Sequence, residues 1–107
     1  MFCVIYSFDV KPNLVGQFEK SWSDLTELIY KYEGSLGSRL HKVDENQYIA
    51  YAQWPSRETW IGSGNQLPES AKAISAAMKA ACVKMETLYE LESEIDHLKA
   101  GPYSKSF

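Results

Sequence analysis

Two residues of this sequence, His41 and Arg39, have side chains suited to acid–base chemistry and lie close together along the chain. A histidine titrates near neutral pH and could take a proton from a phenol or an enol, and an arginine could hold the resulting anion. Small folds usually satisfy their polar groups, which favours a different interpretation. In that interpretation His41 is a hydrogen-bonded residue at an interface between two copies of the chain, and Arg39 pairs there with Glu90 or Glu92.

Aromatic residues form a second candidate constellation. Such rings could line a pocket for a planar organic molecule, with stacking on the rings and hydroxyl groups holding a polar edge. The same residues could equally fill an ordinary core, because small cores are built from rings at strand and helix spacing. The residues concerned are Trp22, Trp54, Trp60, Tyr6 and Tyr48.

The composition argues against several other chemistries. The 107 residues carry a net charge of -3 and are 45% hydrophobic, which is ordinary for one domain and lacks the basic surface that nucleic acid requires. Cys3 and Cys82 are far apart without CxxC spacing, so we expect two thiols with no catalytic role. No metal-ligand cluster, nucleophile elbow or phosphate loop occurs, and Gly62-Ser63-Gly64 is interpreted as a hinge or lid. We therefore expect no cofactor and no metal.

The opening residues, MFCVIYSF, are apolar but alternate as a strand does and have no basic segment before them. They predict neither a signal peptide nor a membrane span. A cytoplasmic location is therefore the default expectation, and a membrane is not expected as a partner.

The elements that must position the candidate residues follow one another in the order β-α-β-β-α-β. Alternating apolar residues predict strands, and apolar stripes at helical spacing predict helices. Asn13 can cap the first helix and Gly34 can end it, while Pro55 and the N-cap candidate Ser56 separate a strand from a short helix. The predicted ranges are strand 2–10, helix 14–33, strand 35–43, strand 47–54, short helix 57–61, helix 68–82 and strand 84–95.

This order of elements predicts an α+β fold. Right-handed crossovers and one central hairpin make a ferredoxin-like sandwich, with its second helix split in two, the simplest topology. We expect one domain at residues 1–95 and a peripheral tail at residues 96–107.

A hairpin loop at residues 44–46 would set the register of the second and third strands. His41 would then lie opposite Ile49, and Arg39 opposite Tyr51. The sheet face without helices would be too apolar for open water, so a second copy of the sheet is expected to cover it. Because a slip of one residue would exchange the faces, the sequence leaves open whether Arg39 and His41 face the partner copy or a pocket under the helices.

Within this topology, one strand ends in Trp54 and is followed at once by Ser56-Arg57-Glu58 and a short helix. A chain with this arrangement resembles the antibiotic biosynthesis monooxygenase family of the dimeric α/β-barrel superfamily. The first-strand segment FCVIYSFDVKPN matches as well, and the resemblance extends from Phe2 to about Leu91. It implies a dimeric α/β barrel, in which two sheets pack face to face and each subunit has a cavity between sheet and helices.

The resemblance also implies chemistry. Some members oxidise aromatic polyketides without metal or flavin, because the deprotonated substrate itself supplies electrons to oxygen. Related members degrade heme with an asparagine on the first strand, a tryptophan at the end of the third and a histidine on the helical segment that follows. Only the tryptophan carries over, as Trp54, because residues 57–82 contain no histidine. We therefore expect neither heme degradation nor heme binding.

Two functions follow as hypotheses. The first is a homodimeric, cofactor-independent monooxygenase that acts on a planar aromatic or enolic small molecule, with Trp54, Tyr6, Trp22, Trp60 and Tyr48 around the substrate. Arg39 and His41 would be its polar pair. The alternative is a non-catalytic dimeric barrel that binds a small molecule or serves in stress, with its pocket filled by side chains. The sequence does not decide whether the protein is an enzyme.

Overall fold

A computed structural model describes residues 1–98 of the chain and confirms the predicted order of elements. Residues 99–107, which make up most of the predicted tail, lie outside the described part, and the boundary predicted at residue 95 stays a prediction. Over residues 1–98, no helix has the length and apolar character needed to cross a membrane. The elements are β1 (Phe2–Val10), α1 (Val15–Tyr32), β2 (Gly37–Lys42), β3 (Gln47–Trp54), α2 (Arg57–Ile61), α3 (Ser70–Ala80) and β4 (Cys82–Glu92).

The four strands form one antiparallel sheet in the order β2-β3-β1-β4. This order, with the helices as connections, is the ferredoxin-like α+β topology that the sequence predicts. The predicted hairpin register is also confirmed, since His41 pairs with Ile49 and Arg39 with Tyr51. The backbone N–H of Val43 donates to the carbonyl of Gln47 at 2.8 Å and closes the hairpin.

Two of the predicted turn residues act as expected. Gly34 ends α1 with a φ of 78°, a left-handed conformation that side chains other than glycine adopt only with strain. The Ser56 hydroxyl accepts a hydrogen bond from the Thr59 backbone N–H at 3.1 Å and so caps α2. The corner between β3 and α2 is therefore built by local sequence.

The predicted cap of α1 is wrong. Asn13 lies inside a short 3-10 turn, Pro12–Leu14, and its side chain makes no capping hydrogen bond. The proline supplies the fixed φ that starts this turn, so the α-helix begins only at Val15.

The predicted bounds of the last helix and strand are also wrong. The helix ends at Ala80 rather than near residue 82, and the strand begins at Cys82 and ends at Glu92 rather than spanning 84–95. Pairing with β1 sets these ends, because Cys82 lies opposite Val10 and Glu92 opposite Phe2. Alternation within the strand carries no information about its partner.

The core lies between the sheet and the helices and consists of two buried clusters. The larger cluster contains Phe18 of α1, which is fully buried. Its ring centroid lies 5.1 Å from that of Phe8 and 5.0 Å from that of Tyr48. The smaller cluster consists of Phe2, Val4, Ala52 and Trp54.

The Phe18→Ala variant is expected to lose about 3–5 kcal/mol of unfolding free energy, because it empties the point where α1 meets both central strands. Urea unfolding followed by circular dichroism measures this change. Tyr30→Ala, which removes an exposed ring from the same helix, is the control and should stay within about 0.5 kcal/mol of the wild type. Equal losses in the two variants would contradict this account of the core.

Candidate functional site

A cavity of about 160 Å³ lies between the sheet and the helices, on the face predicted to hold the pocket. Its walls come from all four strands and from α1 and α3, and every lining side chain is uncharged. Met85 is the lining residue most exposed to solvent, at 40%. The lining residues are Tyr6, Phe8, Trp22, Leu25, Thr26, Ile29, Ser38, Ala50, Ala52, Trp54, Met78 and Met85.

Tyr6 lines this cavity from the middle of β1. Its oxygen accepts a hydrogen bond from Nε1 of Trp60 at 2.8 Å, so its own proton remains free to donate. Burial is the main cause that raises the Tyr6 pKa; the Trp60 hydrogen bond opposes the rise, and the charge of Glu90 adds to it. Tyr6 is therefore a neutral hydrogen-bond donor rather than a base.

Trp54 forms the wall at the end of β3. Its side chain is only 4% exposed, and its indole N–H has no hydrogen-bond partner among residues 1–98. A buried donor without a partner costs about 1–3 kcal/mol. Ala52 and Ala50, two and four residues earlier on the same sheet face, have small side chains that leave room beside the indole.

Helix α1 supplies Trp22 to the opposite wall of the cavity. Thr26, one turn further along the helix, lies on the same face and contributes a hydroxyl group. Thr26 is not among the residues predicted for the site, although its spacing from Trp22 could have indicated it. Ser38 of β2 is not among them either; it pairs with Ala52 and therefore shares the face of that residue.

Two methionines that the sequence analysis did not assign to a pocket, Met78 and Met85, also line the cavity. Met78 is a buried residue of α3, and an inward-facing helix residue can contact either the core or a cavity. Met85 lies opposite Phe8 in the sheet, and only that long-range pairing reveals which face it shares.

Trp60 does not line the cavity but lies directly behind Tyr6. Its ring packs on Phe2 with a centroid separation of 5.7 Å, and its N–H holds the Tyr6 hydroxyl. The two tryptophans of the corner, Trp54 and Trp60, therefore have different positions: one forms a wall and the other supports a wall residue.

Tyr48 belongs to the core rather than to the cavity wall. Its ring packs on Phe18, and its hydroxyl donates a hydrogen bond to the Glu19 carboxylate. Burial first, and then this hydrogen bond and the carboxylate charge, raise the pKa of Tyr48 to about 12. The structure does not bring Tyr48 together with the other predicted substrate contacts.

Arg39 and His41 lie on the sheet face opposite the cavity, where both are exposed. Within one chain they therefore cannot contact a molecule bound beside Trp54. Glu90, one of the partners considered for Arg39, lies on the helix side and pairs with Arg57 at 3.1 Å. A catalytic role for Arg39 and His41 stays a prediction, and this geometry does not support it.

The described residues contain two thiols, Cys3 and Cys82, neither in a disulfide. Cys3 is buried, with its sulfur 3.1 Å from the Tyr51 hydroxyl, and burial raises the pKa of the Cys82 thiol.

Across residues 1–98, no three side chains of histidine, cysteine, aspartate or glutamate are grouped so that they could hold a metal ion.

The fold and the cavity together define a ferredoxin-like protein with a small aromatic pocket between sheet and helices. Residues 1–77 match the family model of the antibiotic biosynthesis monooxygenases. The chain belongs to this family.

Solved structures agree with the family match. SnoaB, a cofactor-independent oxygenase from Streptomyces nogalater, is 15% identical and superposes with a TM-score of 0.72 over 92% of this chain and 97% of that chain. A candidate antibiotic biosynthesis monooxygenase from Caulobacter crescentus CB15 is 26% identical, with a TM-score of 0.66 over 85% and 90%. A conserved protein from Methanosarcina mazei Go1 is 18% identical, with a TM-score of 0.69 over 87% and 92%. No curated protein matches the chain.

The stability of the protein should fall as pH rises from about 10 to about 12, in part because of Tyr48. The unfolded chain releases this proton near pH 10 and the folded chain only near 12, so alkaline pH favours the unfolded state across that interval. The slope of unfolding free energy against pH should be shallower in Tyr48→Phe than in the wild type. Tyr30→Phe, an exposed control on α1, should keep the wild-type slope. Identical slopes for wild type and Tyr48→Phe would refute the assignment.

Proposed function

We propose that this protein is a small cofactor-independent monooxygenase that oxidises an electron-rich aromatic or enolic molecule in the cavity beside Trp54. The observation that carries the proposal is the cavity itself, whose uncharged aromatic walls include the free hydroxyl proton of Tyr6. Membership of the family and the likeness to SnoaB support it. The cytoplasmic location stays a prediction.

The reaction proposed for a phenol needs no added electron donor. The phenolate transfers one electron to dioxygen, which gives a phenoxyl radical and superoxide. These two radicals combine and form a new carbon–oxygen bond at the ring carbon para to the phenolate oxygen. Uptake of a proton gives a hydroperoxide on a carbon that still bears hydrogen. Loss of water then leaves a quinone, so one oxygen atom enters the product and the other leaves as water.

The protein's part in this reaction is to bind and stabilise the anion. Tyr6 is the donor available for the phenolate or enolate oxygen, and the apolar surroundings strengthen such a hydrogen bond because water is excluded. Among residues 1–98, no ionised side chain lines the cavity, so the proposal has the substrate lose its proton to water or enter as the anion.

The alternative function, non-catalytic binding of a small molecule, draws support from the same cavity. Large side chains such as Trp22 and Met78 occupy much of the space under the helices, and about 160 Å³ remains. A binding protein would hold a ligand in this space without consuming oxygen, so a turnover measurement separates the two functions.

We also propose that two copies pair through the sheet face that carries no helices. Ile5, Ile49 and Tyr51 are half-buried there, and Tyr89 and Leu91 are exposed beside them. Apolar groups in such number on one open face are typical of an interface between subunits.

The purified protein, free of flavin and metal, should consume oxygen when given electron-rich phenols with one, two or three fused rings, and the quinone product should appear in the absorbance spectrum. Tyr6→Phe keeps the ring but removes the free hydroxyl proton, and it should lower kcat/KM about tenfold or more. Tyr30→Phe serves as the control and should match the wild type. If the wild type shows no oxygen uptake with any phenol, the monooxygenase proposal is abandoned in favour of binding.

The molar mass in solution, measured by light scattering during gel filtration, should be that of a dimer. Ile49→Lys places a charge in the centre of the proposed interface and should shift the mass to that of a monomer while leaving the circular dichroism spectrum unchanged. Ile61→Lys adds the same charge at an exposed apolar position on α2 and should remain dimeric. A monomeric wild type would exclude this interface.

A further inference from the structure

We infer that the cavity takes a ligand with a single ring and one anionic or carbonyl oxygen, and that this oxygen accepts a hydrogen bond from Tyr6, whose hydroxyl is oriented by Trp60. The inference rests on the proposed function for its site, but it concerns binding and can be tested without turnover. Beyond the proposed function, it specifies the size of the ligand, the polarity of the ligand, and Trp60 as a residue that positions Tyr6.

The size follows from the volume of about 160 Å³. An apolar cavity of about 150 Å³ is known to hold one benzene molecule. A second fused ring would have to extend past Met85 at the exposed edge of the cavity or displace Trp22 or Met78, and Met78 is only 7% exposed in a packed core that resists such movement. The cavity therefore selects one ring with small substituents.

The polarity of the ligand follows from the hydrogen-bond donors of the residues that line the cavity. Nε1 of Trp60 already donates to the Tyr6 oxygen, which leaves Tyr6 with a proton to give. A free hydroxyl proton at an uncharged wall favours a ligand with an acceptor oxygen, because burying a donor without an acceptor costs free energy.

Trp60 can orient Tyr6 because its own segment is held from two sides. Before it, the Ser56 cap fixes the start of α2. After it, the buried carboxylate of Glu33 accepts hydrogen bonds from the backbone N–H groups of Gly64 at 2.6 Å and Gln66 at 3.1 Å. The segment Gly62-Ser63-Gly64 is thus tied to the end of α1, and it holds the Trp60 indole in place behind Tyr6.

Binding is measured without oxygen, so that no substrate is consumed, by titrating the intrinsic tryptophan fluorescence of the full chain. The probes are para-nitrophenolate, the corresponding two-ring naphtholate, and para-nitrotoluene, which has the same ring but no phenolate oxygen. Wild type should bind para-nitrophenolate about tenfold or more tightly than either of the other two. Equal or tighter binding of the naphtholate would overturn the single-ring limit.

Two variants test the donor and its support. Tyr6→Phe should weaken para-nitrophenolate binding about tenfold or more and leave para-nitrotoluene binding unchanged. Trp60→Phe keeps a ring on Phe2 but removes the N–H, and it should weaken phenolate binding severalfold with nitrotoluene again unchanged. In the double variant, Trp60→Phe should have no further effect, because the group that it orients is gone.

The outcomes separate a positioning role from a structural one. If Trp60→Phe weakens both probes equally, Trp60 merely maintains the shape of the cavity and the inference fails. If Tyr6→Phe leaves phenolate binding unchanged, Tyr6 is not the donor. Selective phenolate binding by a protein that does not consume oxygen would uphold this inference and reject the monooxygenase proposal, so the two can fail independently.

Discussion

The hydrogen bond from Trp60 to Tyr6 is the contact on which the organisation of the cavity depends. It joins α2, which follows the third strand in sequence, to the middle of the first strand, which lies at the centre of the sheet. Without it, the Tyr6 hydroxyl would have to satisfy its acceptor within the cavity, and its proton would have no preferred direction. With it, the tyrosine becomes a donor of known orientation on a rigid strand.

The Trp54 indole N–H differs from this oriented donor, because it is buried without a partner among residues 1–98. Leaving such a group unpaired costs about 1–3 kcal/mol. The nitrogen has almost no accessible surface, so a ligand pairs with it only if neighbouring side chains move. The uncharged surroundings of the cavity would strengthen a hydrogen bond from Tyr6 to a ligand, because they exclude water.

The parts of the fold that depend on local pattern could be predicted. The β3–α2 corner is one example, because Pro55 ends the strand and the Ser56 side chain caps the helix within a few residues. The hairpin register is another, since the polar loop at residues 44–46 predicts the pairing of His41 with Ile49 that is observed, although the sequence does not exclude a slip of one residue. The ends of β4 could not be predicted in the same way, because distant pairing with β1 sets them.

The candidate site also has features that the sequence predicts and features that only the tertiary structure shows. Residue type and spacing indicate that Tyr6, Trp22 and Trp54 lie on the buried side of their elements, and all three line the cavity, while their contact with a substrate stays a prediction. Only the tertiary structure shows that Tyr48 fills the core while Tyr6 lines a cavity, and that Arg39 and His41 lie behind the sheet. Whether a buried ring meets other side chains or open space depends on how α1 and α3 pack across the strands, and no single segment contains that information.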